Sequence, residues 1–390
     1  MDTDLTRAAL DCARTAFGDV SIVATTALRT RPGRSVGRLT LMTGAGARSV
    51  IAKTARVRER AALELLTSAN VPSVPRLLAA CDDPALVLME DAGAGPSVAD
   101  RMLGGDPDEA TAAVQRWAGA TGRVQAATLR MGPAFRDRCA ALAAAEQPGQ
   151  PPDAYSGRLG PERAVGWKVA VTEPASDEVI ADAFDGLRDG LAPLGVAAGP
   201  DVLTELRAIA GRLRADPATR HGPGALTPGD ACPDNNAETP DGLVLLDFET
   251  AGFRHIAWDA AYLTVPWPTC WCSWRMPEAV QEAALARWRA TVKPALGPAV
   301  AATLDGAIRD ATVAWALITA AWFLRAAHRN QPLGPGGRLR PGSRELVQHR
   351  LGVAAAADPD GVLGRVAARA LPAIRAAWGD RPLRLSRAWR

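Results

Sequence analysis

The stretch Gly229-Asp230-Ala231-Cys232-Pro233-Asp234-Asn235-Asn236, followed across a short apolar run by Leu245-Leu246-Asp247-Phe248-Glu249, sets two carboxylates and an amide at the ends of a strand hairpin. Asp230 and Asn235 flank a turn held by Pro233. Thr239-Pro240-Asp241-Gly242 carries the signature of a chain reversal, and Leu243 to Leu246 then reads as a short buried strand ending at Asp247. The reversal returns Asp247 towards Asp230. Metal-assisted phosphoryl transfer asks for such a set: one carboxylate to orient an attacking hydroxyl and take its proton, and a pair of oxygen ligands to hold Mg2+ on nucleotide phosphates.

At these residues the chain resembles the aminoglycoside phosphotransferase and choline-kinase-like branch of the protein-kinase-like fold. That family's catalytic loop is His-Gly-Asp, four residues, then Asn; Gly229, Asp230, Pro233 and Asn235 match it, and Asp247, Phe248 and Glu249 match its Asp-aromatic-Glu metal motif. Asp259, in Trp258-Asp259-Ala260-Ala261, stands where the family has an Asp opening the next helix. Pro228 replaces the family's His, which mainly packs the loop, so the departure bears on loop geometry more than on the chemistry. The resemblance implies an α+β bilobal fold, with a small antiparallel-sheet N-lobe and a larger, mostly helical C-lobe. It also implies ATP and Mg2+ as cofactors, Asp230 as the catalytic base, and Asn235 and Asp247 as metal ligands. Glu249 is expected to support the metal through water and Asp259 to brace the loop.

Lysine is nearly absent: besides Lys53 only Lys168 and Lys293 occur among 45 basic residues. A Lys at the end of the strand-like run Ser49-Val50-Ile51-Ala52 therefore stands out, because an ammonium sits against nucleotide phosphates as a compact point charge where Arg would present a planar fork. Arg56 to Ala69 shows helical periodicity in Ala62, Leu65, Leu66 and Ala69. The family pairs a helix Glu with the strand Lys, and Glu59 fits that role best, with Glu64 as the fallback. Leu77 to Ala80 and Leu86 to Asp91 follow; the second run exits into Ala92-Gly93-Ala94-Gly95-Pro96, which the resemblance makes the hinge, with backbone groups of Glu90 and Ala92 on the adenine edge. Residues 1–91 are then the nucleotide-binding lobe, 92–97 the hinge, and 98–390 the lobe carrying the catalytic loop and acceptor site. Thr30 to Gly37, between strand-like runs Val20 to Leu28 and Arg38 to Met42, reads as a turn over phosphates, with Arg34 or Ser35 as contacts, although it is no Gly-x-Gly-x-x-Gly loop.

A chain of 390 residues, 48% hydrophobic and 22% charged, has room for two lobes with cores of their own. Net charge is +3 and no basic stripe interleaves with aromatics, which argues against nucleic acid as a partner. Ala311 to Leu324 is Ala- and Trp-rich, but Arg309 and Arg325 bound it short of a membrane span, and the amino terminus, with Asp2 and Asp4, lacks a signal-length apolar core. A cytoplasmic protein is expected, with Cys12, Cys81, Cys139, Cys232, Cys270 and Cys272 as reduced thiols. Cys270-Trp271-Cys272 has no second pair at zinc-ligand spacing, and the four His residues form no ligand motif, so metal is not expected there.

Helical patterns are read over Asp106 to Ala127, Ser176 to Leu194, Pro200 to Asp216, Pro277 to Val292, Gly297 to His328, Ser343 to Ala355 and Gly361 to Trp378, and Gly132 to Gly160 as a Pro- and Gly-punctuated loop. Trp258, Trp267, Trp271 and Trp274 crowd just past the metal motif, and Trp267, Trp271 and Trp274 are candidates to stack on an acceptor. The resemblance then implies transfer of the γ-phosphoryl group to a hydroxyl of a small molecule, first an antibiotic or sugar-like natural product. The alternatives are a metabolic small-alcohol kinase of choline, homoserine or sugar type, and a catalytically weak pseudokinase acting as a ligand-binding module.

Overall fold

The computed structural model describes residues 3–31, 34–145, 167–215, 223–265, 267, 270–330 and 340–390. The chain opens with helix α1 (Thr3–Phe17), then strands β1 (Val20–Arg31), β2 (Arg34–Thr43) and β3 (Gly46–Thr54), helix α2 (Val57–Ser68), and strands β4 (Leu77–Asp82) and β5 (Ala85–Glu90). These strands form one sheet in the order β1-β2-β3-β5-β4, antiparallel at every pairing. Side chains alternate across a strand, and that alternation decides which residues face the site. Val50 and Ala52 of β3, with Leu86 and Leu88 of β5, point to the face covered by Leu5, Ala9, Cys12 and Ala13 of α1. Val87 and Met89 go to the opposite face, where Ala62, Leu63 and Leu66 of α2 join a core that continues into the second lobe. Lys53, one residue beyond Ala52, belongs to that inner face.

The second lobe is built from α3 (Val98–Leu103), α4 (Pro107–Thr128), α5 (Gly132–Ala145), α6 (Trp167–Thr172), α7 (Asp177–Leu191) and α8 (Pro200–Arg212). Four short strands follow, β6 (Gly224–Thr227), β7 (Asn236–Thr239), β8 (Gly242–Leu245) and β9 (Gly252–His255), and then α9 (Ala257–Ala261), α10 (Glu278–Val292), α11 (Pro298–His328), α12 (Ser343–Ala357) and α13 (Val362–Trp378). Capping follows the sequence where the sequence supplies it: Asp106 accepts from the Asp108 and Glu109 amides with Pro107 in the first turn of α4, and Ser97 and Asp100 form a capping box on α3. Helix α11, 31 residues, is long and apolar enough by composition to cross a membrane, but 83% of that window is buried inside the protein, between α7, α9 and α12. It is the central post of the lobe.

Two expectations change. Gly132 to Gly160 is not a loop throughout: Gly132–Ala145 is helix α5, because Pro133 costs nothing in a first turn and Phe135 and Leu142 bury on one face; the remainder, including Gln147 to Pro152, lies outside the described residues. Helix α1 is an element beyond the helices read from the sequence: Leu5, Ala9, Cys12 and Ala13 fall on one face and bury against the sheet, and Gly18, at φ 73, ends the helix with its amide on the Arg14 carbonyl (2.9 Å).

Candidate active site

The segment that carries Asp230 hangs between β6 and β9, which pair antiparallel from Gly224↔His255 to Thr227↔Gly252. Gly229 has φ +79, and a Cβ there would lie 2.1 Å from the Thr250 carbonyl oxygen. Only glycine lets the loop pass this close with a left-handed backbone. Thr250 then stitches the loop twice, its Oγ1 accepting from the Asp230 amide (3.0 Å) and donating to the Pro228 carbonyl (3.0 Å). The Gly229 carbonyl accepts from Arg254 (3.1 Å) and from the Tyr262 hydroxyl (3.3 Å). With Pro228 ahead of Gly229, the loop is fixed by Thr250, Arg254 and Tyr262.

Arg254 is fully enclosed and ion-paired to Asp259, whose other oxygen accepts from Gln125 Nε2 (2.6 Å); Trp288 Nε1 donates to Gln125 Oε1 (2.7 Å). Burial pushes the Asp259 carboxyl up, and Arg254 and Gln125 pull it back. Asp259 is thus a brace for the loop, as expected, and Gln125 is a member of the network that no sequence motif marks.

Beyond Asp230 the loop turns through Pro233, and Asn235 closes it: its amide donates to the Cys232 carbonyl (3.0 Å) and its Nδ2 to the Asp230 carbonyl (2.9 Å). The Leu246 amide donates to the Asn235 carbonyl (2.9 Å), continuing the β7–β8 register that pairs Asn236 with Leu245. Asn235 and Asp247 consequently stand at the open end of the hairpin, the strands having been reversed at Pro240-Asp241. Asp247 adopts φ 61, ψ 69, a left-handed conformation uncommon outside glycine and of the kind that clusters at functional sites. With Nδ2 spent on the loop, Asn235 turns its oxygen away from Asp230, and amide oxygen plus carboxylate is the donor chemistry a hard divalent cation takes. The residues fit Mg2+.

Lys53 ties the two lobes together at this point. Its Nζ lies 2.7 Å from Glu59 Oε1 and 2.6 Å from Asp247 Oδ1. Burial opposes its charge, but Asp247 and Glu59 hold it protonated, above the ordinary lysine value. Glu59 is 2% exposed, and burial raises its carboxyl to about 7, against the pull of Lys53 and with the Asp247 and Glu249 charges adding to the rise. The fallback Glu64 is engaged elsewhere, by Arg60 (3.0 Å) and Arg138 (2.8 Å).

The linker to the second lobe leaves β5 at Glu90, whose amide donates to the Arg76 carbonyl (2.9 Å), and the backbone of Ala92 makes no hydrogen bond to any described residue. The anchor here is Asp91, which the sequence reading passed over. Its carboxylate takes both Arg38 Nε (2.6 Å) and Nη2 (3.0 Å), Ser49 Oγ (2.5 Å) and the Gly93 amide (2.9 Å). Against the upward push of burial, these bonds hold its carboxyl below the usual range. Gly95 sits so close to β7 that a Cβ would lie 1.9 Å from the Glu238 carbonyl oxygen.

Two expectations about the site fail. The phosphate turn is far shorter than Thr30 to Gly37: β1 and β2 run to an Arg31↔Arg34 pair, Gly37 lies in the ladder opposite Ala27, and the Ser35 amide is taken by Thr54 Oγ1 (3.1 Å). Pro32 and Gly33 lie outside the described residues. Trp267 and Trp274 are not acceptor faces. They are 1% and 4% exposed; Trp267 packs edge-on to Trp117 (5.6 Å) and stacks on Tyr262 (6.5 Å), and Arg390 covers the Trp274 ring (4.9 Å). Rings of this size bury apolar area on a scale that favours the core. Trp271 is partly exposed and donates from Nε1 to Asp234 Oδ2 (2.9 Å), one residue from Asn235. Pro266 and Pro268 lie outside the described residues.

No family model matches the chain, and no curated protein matches it. Among solved structures, an ethanolamine kinase from Plasmodium vivax is 11% identical, with 86% of this chain and 82% of that one covered and a TM-score of 0.45. Choline kinase LicA from Streptococcus pneumoniae is 11% identical over 93% of this chain and 99% of its own (TM-score 0.40), and aminoglycoside phosphotransferase APH(4)-Ia is 13% identical over 94% and 98% (TM-score 0.42). Likeness at this level carries no chemistry over to this chain. Its own architecture is an antiparallel five-stranded lobe whose Lys53 is paired to a helix carboxylate and bridged to Asp247 at the mouth of a hairpin in a helical second lobe: the bilobal protein-kinase-like fold.

Proposed function

We propose that the chain is an ATP- and Mg2+-dependent phosphotransferase acting on a hydroxyl of a small molecule. The observation that carries this reading is the Lys53 ammonium held between Glu59 and Asp247, since phosphoryl transfer in this fold requires the strand Lys–helix Glu pair and the metal-binding Asp to be in place together. Lys53 anchors the nucleotide phosphates. Asp230, on a loop braced from behind by Thr250 and Arg254, orients the acceptor hydroxyl and takes its proton late, because a loose transition state gains little from early deprotonation. Asn235 and Asp247 would hold Mg2+, which neutralises charge developing on the phosphates. Residues 1–91 serve as the nucleotide lobe and 92–97 as the hinge, with Glu90 and Ala92 offering backbone groups to the base. The acceptor approaches on the side of Trp271, and an antibiotic or sugar-like natural product is the class we favour. The ATP supply places the reaction in the cytoplasm.

The test is mass-spectrometric. Protein, ATP and Mg2+ are incubated with a pooled set of aminoglycosides, nucleoside antibiotics, sugars and amino alcohols, with Asp230→Ala in parallel. A product heavier by one phosphoryl group, absent from the variant, supports the reading and identifies the acceptor class. Equal product from Asp230→Ala removes the base assignment, and absence of Mg2+-dependent ATP binding removes the proposal as a whole.

A further inference from the structure

Fold topology brings Cys232 and Asp234 of the catalytic loop against Cys270, which lies beyond α9. One ligand atom from each, the two sulfurs and a carboxylate oxygen, lies within 4.8 Å of the others. Cys270 Sγ is 3.6 Å from Asp234 Oδ1. With zinc bond lengths of about 2.3 Å to sulfur and about 2.0 Å to oxygen, a tetrahedral S···O edge is about 3.5 Å, so this separation already suits a shared ion. Both thiols are buried while Asp234 is exposed, which leaves the carboxylate side as the way in.

The surrounding groups orient these atoms. Trp271 Nε1 donates to Asp234 Oδ2 (2.9 Å) and turns Oδ1 towards Cys270. The Cys272 amide donates to Cys270 Sγ (3.5 Å), and the Cys232 and Cys272 side chains both hydrogen-bond that sulfur. Outer hydrogen bonds of this kind fix ligand orientation in metal sites. We propose that Cys232, Cys270 and Asp234 form a zinc site, with water in the fourth position and Cys272 acting only through its hydrogen bonds to Cys270. Soft thiolates select zinc, whereas Asn235 and Asp247 offer the oxygen donors that suit magnesium, so the two sites are chemically distinct although they share one loop. The ion ties the Asp230 loop to the segment that carries Trp271, and so sets the spacing between catalytic loop and acceptor side.

The experiment reads metal and not turnover, so it stands or falls separately from the phosphotransferase reading. Full-length protein is reduced, loaded with Zn2+, dialysed into metal-free buffer and assayed for bound zinc; a second sample is loaded with Co2+ and scanned by absorption. Stoichiometric zinc and an intense near-ultraviolet thiolate-to-cobalt band are expected, both lost in Cys232→Ser and Cys270→Ser and retained in Cys272→Ser. Because the buried serine variants could misfold, the exposed Asp234→Asn is the companion, expected to fold normally and, as the loss of a charged ligand, to weaken zinc binding by at least the about 10–100-fold that removing an outer hydrogen-bond partner costs. Reduced protein that retains no zinc and gives no thiolate–cobalt band overturns the proposal. So does zinc affinity in Asp234→Asn and Cys270→Ser equal to that of the unmodified chain.

Discussion

Lys53 sits between two carboxylates, 2.7 Å from Glu59 on α2 and 2.6 Å from Asp247 at the hairpin mouth. Glu59 over Glu64 follows from helix phase, since Glu59 lies in the first turn of α2 and turns inward, whereas Glu64 pairs outward with Arg60 and Arg138. The raised Glu59 carboxyl has a consequence for stability. Its folded value of about 7 lies above the ordinary carboxyl value of 4.5, so the folded state holds the proton more tightly. This contribution is fully present below about pH 4.5 and lost as pH rises through 7. Glu59→Gln removes the dependence: the difference in unfolding free energy between the native chain and Glu59→Gln should fall by up to about 3 kcal/mol from pH 4.5 to 7. Denaturant titrations at the two ends of that window check it, and a flat difference would refute the buried, proton-sharing Glu59. The tryptophans teach the converse lesson. Sequence cannot separate a ring that stacks on a ligand from one that fills a core, and burial alone distinguishes Trp271 from Trp267. Trp267→Ala should cost about 3–5 kcal/mol of stability. Trp271→Ala should leave stability within about 1 kcal/mol, in line with a partly exposed side chain, and raise the KM for the acceptor.

At the scale of the element, the β7–β8 hairpin was the most readable part of the chain. Its turn residues, its apolar strand and its polar ends are all local features, and β7 and β8 appear where Thr239-Pro240-Asp241-Gly242 put the reversal. Its support was not readable, because Thr250 and Arg254 act by meeting loop backbone atoms distant in sequence, and Gln125 by holding the carboxylate of Asp259, 134 positions away. Gly229 is the point where local and distant demands coincide. Gly229→Ala forces a side chain against the Thr250 carbonyl at positive φ and should destabilise the protein by about 1–3 kcal/mol. Turnover should fall further than stability, since Asp230 is the next residue; a variant with native melting and native kcat would show that the loop is not held as described. Helix α5 was obscured by the opposite error, in which Gly132 and Pro133 read as punctuation although proline is at home in a first turn.

Across the whole molecule, one core runs from α2 and the inner sheet face into the helical lobe, and Lys53 crosses to Asp247 over the cleft between them. Under the proposed reading, Mg-ATP at about a hundred times its Kd should stabilise the protein by about 2.7 kcal/mol. Asp247→Ala should lower stability without nucleotide, because it takes a partner from the buried Lys53, and should also abolish most of the nucleotide gain; thermal melts of the variant with and without Mg-ATP, each read against its own nucleotide-free melt, decide it, and an undiminished shift would exclude Asp247 as a ligand. The hairpin and the helices with an apolar stripe could be read along the chain, because turn chemistry and periodicity are properties of neighbouring positions; Lys53 was marked by scarcity, and Asp230, Asn235 and Asp247 by the resemblance of their motifs. Which face of the sheet Lys53 occupies, which carboxylate holds it, which tryptophans are sealed in the core, and that Cys232 meets Cys270 were settled by the fold. Those outcomes depend on which surfaces are buried together, and burial is a property of the folded whole.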